Sequence, residues 1–413
     1  VVSIPPPRFE DRFGNRKPKL LVVGGGAFQT DLVRAAKRLG AEVWAIDRNP
    51  EAPALKLADH PLPVDFGDVS AVLALASIGF DGVATAASDA ALPSVVACAE
   101  AWGLPGTGAE TLRLCQDKLR TGDALRDAGL RAPRTRLVYH HASVRPHIDA
   151  VGGFPFVIKP RFGAGGRGVS IVESEADLPS AIDKALRNTR AEHGYLVQEF
   201  LRGESIGVEA FLWDGRITRG FCMGDQYRSD FVSPIGHSLP PDIDEATGAA
   251  VLGQIQSIVT ALKATSGPMN FDLRFSGGEV WLIEANARLG GNSITPLVRA
   301  AYGVDLAQAT VLSALGADPQ ASLENRGAVR ATATRLFLVR GGGELTHRHS
   351  HRDWQSDPRV LEFELVPHGE ELRARVDEWA IAGRCLVTET TSEAAINLAA
   401  EIAADVEAAL LAQ

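Results

Sequence analysis

The sequence predicts an α/β protein of two or three domains: a parallel-sheet N-terminal domain, a two-part α+β core and a small α+β C-terminal domain. Three stretches predict it. "KLLVVGGGAFQTDLVRAAKRLGAEVWAIDRNP" repeats strand, glycine turn and helix, the order of a parallel sheet with crossovers. "FPFVIKPRFGAGGRGVSIV" reads as strand, glycine tip, strand, and "NFDLRFSGGEVWLIEANARLGG" as a second hairpin that carries acids. A chain of 413 residues is long for one core and suits several domains, each large enough to bury its own interior.

Residues 1–18 form a polar, proline-rich tail, unlike a secretory signal. Residues 19–115 carry the parallel sheet, with "DGVATAAS" as a later strand and "LPSVVACAEAWGLPG" as helix and turn. Gly24, Gly25 and Gly26 with Asp47 admit a dinucleotide reading, but "GGGAFQ" lacks the third glycine of that fingerprint, and a structural turn stays open. Residues 116–325 form the core, with a flap subdomain at about 130–200, and residues 326–413 the C-terminal domain. There His347, His349 and His351 alternate in a polar, glycine-led tract that reads as a solvated loop.

A net charge of −9 argues against a general polyanion binder, so nucleic acid is not an expected partner. Cys98, Cys115, Cys222 and Cys385 follow no metal-like spacing, which fits a reducing compartment. With no apolar span of membrane length, the expectation is a soluble, cytoplasmic protein with no membrane partner, a homodimer being allowed but not demanded.

The glycine tip between Lys159 and Val172 sits on a hairpin and leads into no helix, which excludes a P-loop and leaves either a flap closing over phosphates or a plain mobile turn. On the second hairpin, Glu284 and Asn286 are two residues apart and share a strand face, and the turn brings Asp272 to them. Two carboxylates and a carboxamide oxygen are hard ligands suited to Mg²⁺ (or Mn²⁺) completed by phosphates and water; the alternative is a polar strand face exposed to solvent.

"DK" at Asp117 and Lys118, "IKP" at Lys159, "FGAGGRG", "QEFLRGES" and "NFDLR…LIEANARLGG", in this order, resemble the ATP-grasp superfamily of carboxylate–amine or carboxylate–thiol ligases. The resemblance spans most of the chain and implies a Rossmann-like domain, the ATP-grasp core and a final small domain. It implies that Lys118 and Lys159 hold ATP phosphates, and that the loop with Arg161, Gly165, Gly166 and Arg167 covers them. It places adenine at Gln198, Glu199, Phe200 and Leu201. The family's ribose-binding glutamate position is occupied by Ser205, with Glu204 one residue away, so either could serve. Asp272, Glu284 and Asn286 match the magnesium set, and Arg288 a basic residue near the transferred phosphate or acyl group; Arg288, Lys159 and Asn286 are the expected catalytic residues. His237, in "GHSLP", resembles the histidine of amino-acid and dipeptide ligases in this superfamily. With Arg228, Arg288, Gly290 and Gly291 it forms the expected substrate side, a loop-fixing histidine being the alternative.

A carboxylate attacked directly by an amine would have to expel oxide, so ATP must first convert it to an acyl phosphate. The function expected is therefore an ADP-forming carboxylate–amine ligase joining small-molecule substrates, with an amino acid as the expected substrate. Two alternatives stand beside it: a purine-pathway type that activates formate or bicarbonate, and a regulatory protein that binds ATP without turnover.

Overall fold

The computed structural model describes residues 10–139, 144–229, 231–347, 352–366, 369, 371, 372, 374 and 379–412. The side chain of His347, and all of His349 and His351, lie outside the described residues.

The N-terminal sheet consists of β1 (Lys19–Val23), β2 (Glu42–Ile46), β3 (His60–Leu62) and β4 (Gly82–Ala84), parallel and in the order β3-β2-β1-β4. Runs such as "LLVV" are apolar throughout because helices cover both faces of a parallel sheet. Gly25 is required by close approach: a Cβ there would stand 2.6 Å from Ala52 Cβ. Its N–H donates to Asp47 Oδ2 at 2.8 Å, and Asn49 N donates to Asp47 Oδ1 at 2.9 Å. Asp47 therefore closes the glycine turn on itself, which favours the structural reading of that turn over the dinucleotide one.

A second sheet, antiparallel, contains β5 (Thr135–Val138), β6 (Phe156–Pro160), β7 (Ser170–Val172) and β8 (Tyr195–Glu199), in the order β5-β8-β6-β7. The glycine tip joins β6 to β7, so the flap is a hairpin as its sequence predicts. The remaining core strands are β9 (Glu204–Trp213), β10 (Arg216–Arg228), β11 (Phe231–Leu239), β12 (Gly267–Ser276) and β13 (Glu279–Asn286).

The C-terminal segment adds β14 (Ala331–Arg340), β15 (Gly343–His347), β16 (Val360–Leu365), β17 (Glu371–Leu372), β18 (Trp379–Glu389) and β19 (Leu410–Ala412). Three of its strands extend the core sheet: one eight-stranded sheet runs β13-β12-β9-β10-β11-β14-β18-β16, joined where Ser238 and Leu239 pair with Ala333 and Thr332. One hydrogen-bonded sheet thus runs through the domain boundary expected near residue 326.

The N-terminal domain is fastened to the core beside the second hairpin. Ala86 and Leu289 form a parallel bridge, and Ala87 N donates to Leu289 O at 3.1 Å. Leu20, Val22 and Leu32 of the first domain share one apolar cluster with Leu289, Ile294, Leu297 and Val298. Each such side chain contributes about 1.5–3 kcal/mol when fully buried, so the seam holds the loop after β13 against two domains at once.

Candidate active site

The cleft between the flap sheet and the eight-stranded sheet has a volume of about 670 Å³. Lys118, Lys159, Gly166, Arg167, Gln198, Glu199, Phe200, Leu201, Ser205, Arg228, Asp272 and Glu284 all line it, so five separate sequence motifs converge on one space. Lys118 begins the helix Lys118–Asp127, whose N-terminus is capped by Asp117 through Leu119 N and Arg120 N. Its Nζ donates to the flap carbonyl of Gly163 and lies 3.2 Å from Glu284 Oε1. Lys159 is buried at the end of β6. Burial, and then the positive charge of Lys118, push its ammonium down to about 7 against the pull of Glu284.

The flap lies against β11. A Cβ on Gly166 would stand 2.3 Å from Ser233 Oγ, and its φ of +72° is left-handed, so both space and backbone demand glycine there. Arg161 is turned away from the phosphate side: its Nε and Nη2 donate to the two oxygens of Asp117 at 2.8 and 2.6 Å, and it does not line the cleft. It ties the base of the flap to the cap of the lysine helix.

At the end of the cleft where adenine is expected, Gln198 Nε2 donates to Thr135 Oγ1 at 2.9 Å, and Glu199 is held by Arg134 Nη2 at 3.0 Å. Of the two ribose candidates, Ser205 lines the cleft and Glu204 does not; strand alternation sends neighbours to opposite faces. Ser205 Oγ donates to Asp225 Oδ2 at 3.0 Å and lies 2.9 Å from Tyr227 OH.

Asp272 on β12 and Glu284 on β13 are direct cross-strand partners, and Asn270 pairs with Asn286. Burial, then the charges of Glu284 and Asp225, push the Asp272 carboxyl up to about 7. Carboxylates crowded in this way, with oxygen donors only, fit a hard divalent cation. Asn286 is buried at the end of β13 and is not part of the cleft wall. Among the described residues no three His, Cys, Asp or Glu converge as a metal-holding group, so a cation here would depend on the amide and on substrate phosphates to complete its shell.

A second cleft, of about 570 Å³, adjoins the first and shares Ala164, Arg167, Phe231, Ser233 and Pro234 with it. Arg288 and Gly291 line it from the loop after β13, Asp89 from the N-terminal domain, and Leu336, Ile381 and Arg384 from the C-terminal strands. Arg288 is held in a two-point pair with Asp89, Nε to Oδ1 at 3.1 Å and Nη2 to Oδ2 at 2.8 Å. Gly290 lies one step deeper, its N–H donating to both oxygens of Glu209 at 3.2 and 3.1 Å.

Two expected substrate residues are placed elsewhere. His237 is 5% exposed and lines neither cleft; its Nδ1 lies 2.9 Å from Asp225 Oδ1. Arg228 lines the first cleft, stacks over Trp379 at 4.0 Å and pairs with Glu407 at 3.5 Å.

Sequence reasoning did not find Glu209, Asp89, Asp225 or Arg384. Glu209 had a signal, a lone acid inside the apolar run "SIGVEAFL". It is fully buried, accepts from Asn270 Nδ2 at 3.1 Å, and burial pushes its carboxyl up to about 8 despite Arg288 and the Gly290 N–H. The other three owe their positions to pairings between distant segments.

Residues 115–292 match the ATP-grasp domain family. A formate-dependent phosphoribosylglycinamide formyltransferase of Burkholderia lata is 26% identical over 289 residues, covering 65% of this chain and 69% of that protein. An L-amino acid ligase from Bacillus licheniformis superposes with a TM-score of 0.79, with 22% identity over 97% of this chain and 100% of the other. A phosphoribosylglycinamide synthetase from Anaerococcus prevotii gives 0.74, with 21% identity over 96% and 100%. The matched segment contains both lysines, the flap and the paired acids, and residues 115–292 of the chain form an ATP-grasp domain.

Proposed function

We propose that this chain is an ADP-forming ligase that activates a small carboxylate as its acyl phosphate and transfers the acyl group to an amine, forming a carbon–nitrogen bond. The observation that carries it is the junction of the two clefts: phosphate-side lysines and paired acids line one, Arg288 lines the other, and the flap borders both. A carboxylate oxygen attacks the γ-phosphorus of ATP and the bond to the β–γ bridging oxygen breaks, releasing ADP. The amine then attacks the acyl carbon, phosphate leaves, and the nitrogen loses its proton.

Lys118 and Lys159 meet phosphate oxygens, and Arg288 the charge that develops on the acyl phosphate. Asp272, Glu284 and Asn286 would hold Mg²⁺, which when bound neutralises phosphate charge during transfer. The flap excludes water that would hydrolyse the intermediate. The four cysteines, all buried and free, fit a reducing, cytoplasmic setting, and among the described residues no helix is long and apolar enough to cross a membrane.

For the carboxylate, similarity to a formate-dependent enzyme over 65% of the chain supports formate or bicarbonate, with an aminoribonucleotide as acceptor, ahead of the amino acid expected from sequence. An amino-acid substrate keeps one supporting observation, the apolar wall of Phe28, Phe231, Leu336 and Ile381 in the second cleft. The test is product analysis with Mg²⁺-ATP and a matrix of formate, bicarbonate and amino acids against glycinamide ribonucleotide and amino-acid amines. ADP and phosphate in step with amide are expected; AMP and pyrophosphate would refute the acyl-phosphate route.

A further inference from the structure

Lys118 and Lys159 stand on different parts of the fold. Lys159 belongs to β6 of the flap sheet, whereas Lys118 begins the helix Lys118–Asp127 and meets Glu284 of the eight-stranded sheet. Their like charges repel, so holding both against one polyanion needs a fastening between the two parts. That fastening is next to each lysine in sequence. Arg161 follows Lys159 by two residues, Asp117 immediately precedes Lys118, and the guanidinium reaches both oxygens of that carboxylate, Nε at 2.8 Å and Nη2 at 2.6 Å. The main chain repeats the link, Lys118 N donating to Arg161 O at 3.2 Å. Asp117 is 2% exposed and is itself fixed to the helix by accepting from Leu119 N and Arg120 N. The Arg161 side chain lines a separate groove of about 970 Å³, together with Leu119 and Arg120, and no part of the first cleft.

We propose that Arg161 is a positioning residue for polyphosphate: without touching the ligand, its two-point pair with Asp117 sets the spacing of the Lys118 and Lys159 ammonium groups, so that both meet one phosphate chain. The proposal rests on the nucleotide reading of the first cleft. A planar guanidinium on a carboxylate fixes orientation as well as distance, which a single ammonium contact does not. Pre-set spacing matters because each flexible lysine otherwise loses its freedom only when the ligand arrives, at the expense of affinity. The pair acts on the lysines alone, so a ligand without phosphate is indifferent to it. Removing the guanidinium also leaves Asp117 partnered, since Arg120 Nε lies 3.2 Å from its Oδ2 and the two helix amides remain, and the helix keeps its cap.

The experiment measures the affinity of three probes, a nonhydrolysable ATP analogue, inorganic tripolyphosphate and adenosine, for wild type, Arg161→Gln, Arg161→Lys, Asp117→Asn and the double variant Arg161→Gln/Asp117→Asn. Asparagine caps a helix as well as aspartate does, so Asp117→Asn removes the charge of the pair and keeps the helix start. Arg161→Gln is expected to weaken the ATP analogue and tripolyphosphate about tenfold or more and to leave adenosine within about twofold, with Arg161→Lys, which keeps the charge without the fork, recovering part of the loss. The double variant is expected to bind no more weakly than Arg161→Gln, because the two residues act through one bond. Equal weakening of adenosine would mean that the pair only holds the domain in shape, and additive losses would mean that the two residues act separately; either result overturns the proposal. Tripolyphosphate binding that depends on Arg161, in a protein that takes up no ATP analogue, supports the spacing role and counts against the nucleotide reading alone. Affinities for both polyphosphates that do not depend on Arg161 overturn it.

Discussion

Asp272 and Glu284 face each other across two strands, and the physics of that pair leads to the most direct test of the site. Asp272→Asn and Glu284→Gln each keep the shape and remove a charge that a divalent cation needs. Both variants are expected to fold and to lose at least about a hundredfold in turnover, the equivalent of some 2.7 kcal/mol of transition-state stabilisation. Near-normal rates for both at saturating Mg²⁺ would move the metal elsewhere. Lys159 supports a pH prediction. Its folded value near 7 lies below the ordinary 10.5, so between those limits the unfolded chain binds the extra proton and the neutral lysine predominates in the free protein. Burial of that ammonium therefore costs stability below about 7, a cost that fades as pH rises toward 10.5. Polyphosphate oxygens favour the ammonium, so nucleotide binding at pH 8 is expected to take up close to one proton. Calorimetry in buffers of different ionisation enthalpy measures this, and Lys159→Met should abolish it; unchanged uptake in that variant would exclude Lys159 as the source.

At the scale of elements, the flap and the loop after β13 behave oppositely. Gly163 and Gly165 have open space around them and left-handed φ values of +119° and +68°, so the tip is ordered by few contacts of its own. Its amides are expected to exchange rapidly in free protein and to gain protection when an ATP analogue binds, as phosphate oxygens meet the N–H groups. Equal exchange in both states would mean that the hairpin is only a turn. Gly290 is fixed: a Cβ there would lie 2.5 Å from Ile294 Cδ1 and 2.9 Å from Glu209 Oε2. Gly290→Ala is expected to cost about 1–3 kcal/mol through overpacking, read as a lowered urea midpoint. The hairpin form of the flap was legible in its sequence because alternating apolar strands around a glycine cluster have one local solution. The buried carboxylate under Gly290 was not, since Glu209 and Gly290 are 81 residues apart.

Across the whole molecule, the Arg288 guanidinium is held by a domain that lines no part of the first cleft. Asp89 belongs to the N-terminal sheet domain and Arg288 to the core, 199 residues away. Asp89→Asn weakens that two-point pair, and turnover is expected to fall about tenfold or more while the affinity for a nonhydrolysable ATP analogue stays within about twofold. Parallel loss of nucleotide binding would show instead that the seam between domains holds the entire core in shape. The C-terminal strands act at the same scale, because pairing of β11 with β14 and of β14 with β18 carries Arg384 to the wall of the second cleft.

The sequence by itself determined the three-segment α/β architecture, the hairpin flap, and the lysines and acids that line the first cleft, since each rests on local periodicity or on a motif of contiguous residues. Only the tertiary structure decided which candidates enter the clefts. Arg161 is claimed by Asp117, His237 by Asp225 and Asp47 by its own glycine turn, because an ionisable side chain half shielded from water takes the nearest complementary partner. The second cleft was invisible in one dimension for the same reason. Its walls come from residues near positions 28, 89, 291 and 384, and it is sheet pairing and interdomain packing, not sequence spacing, that bring these together.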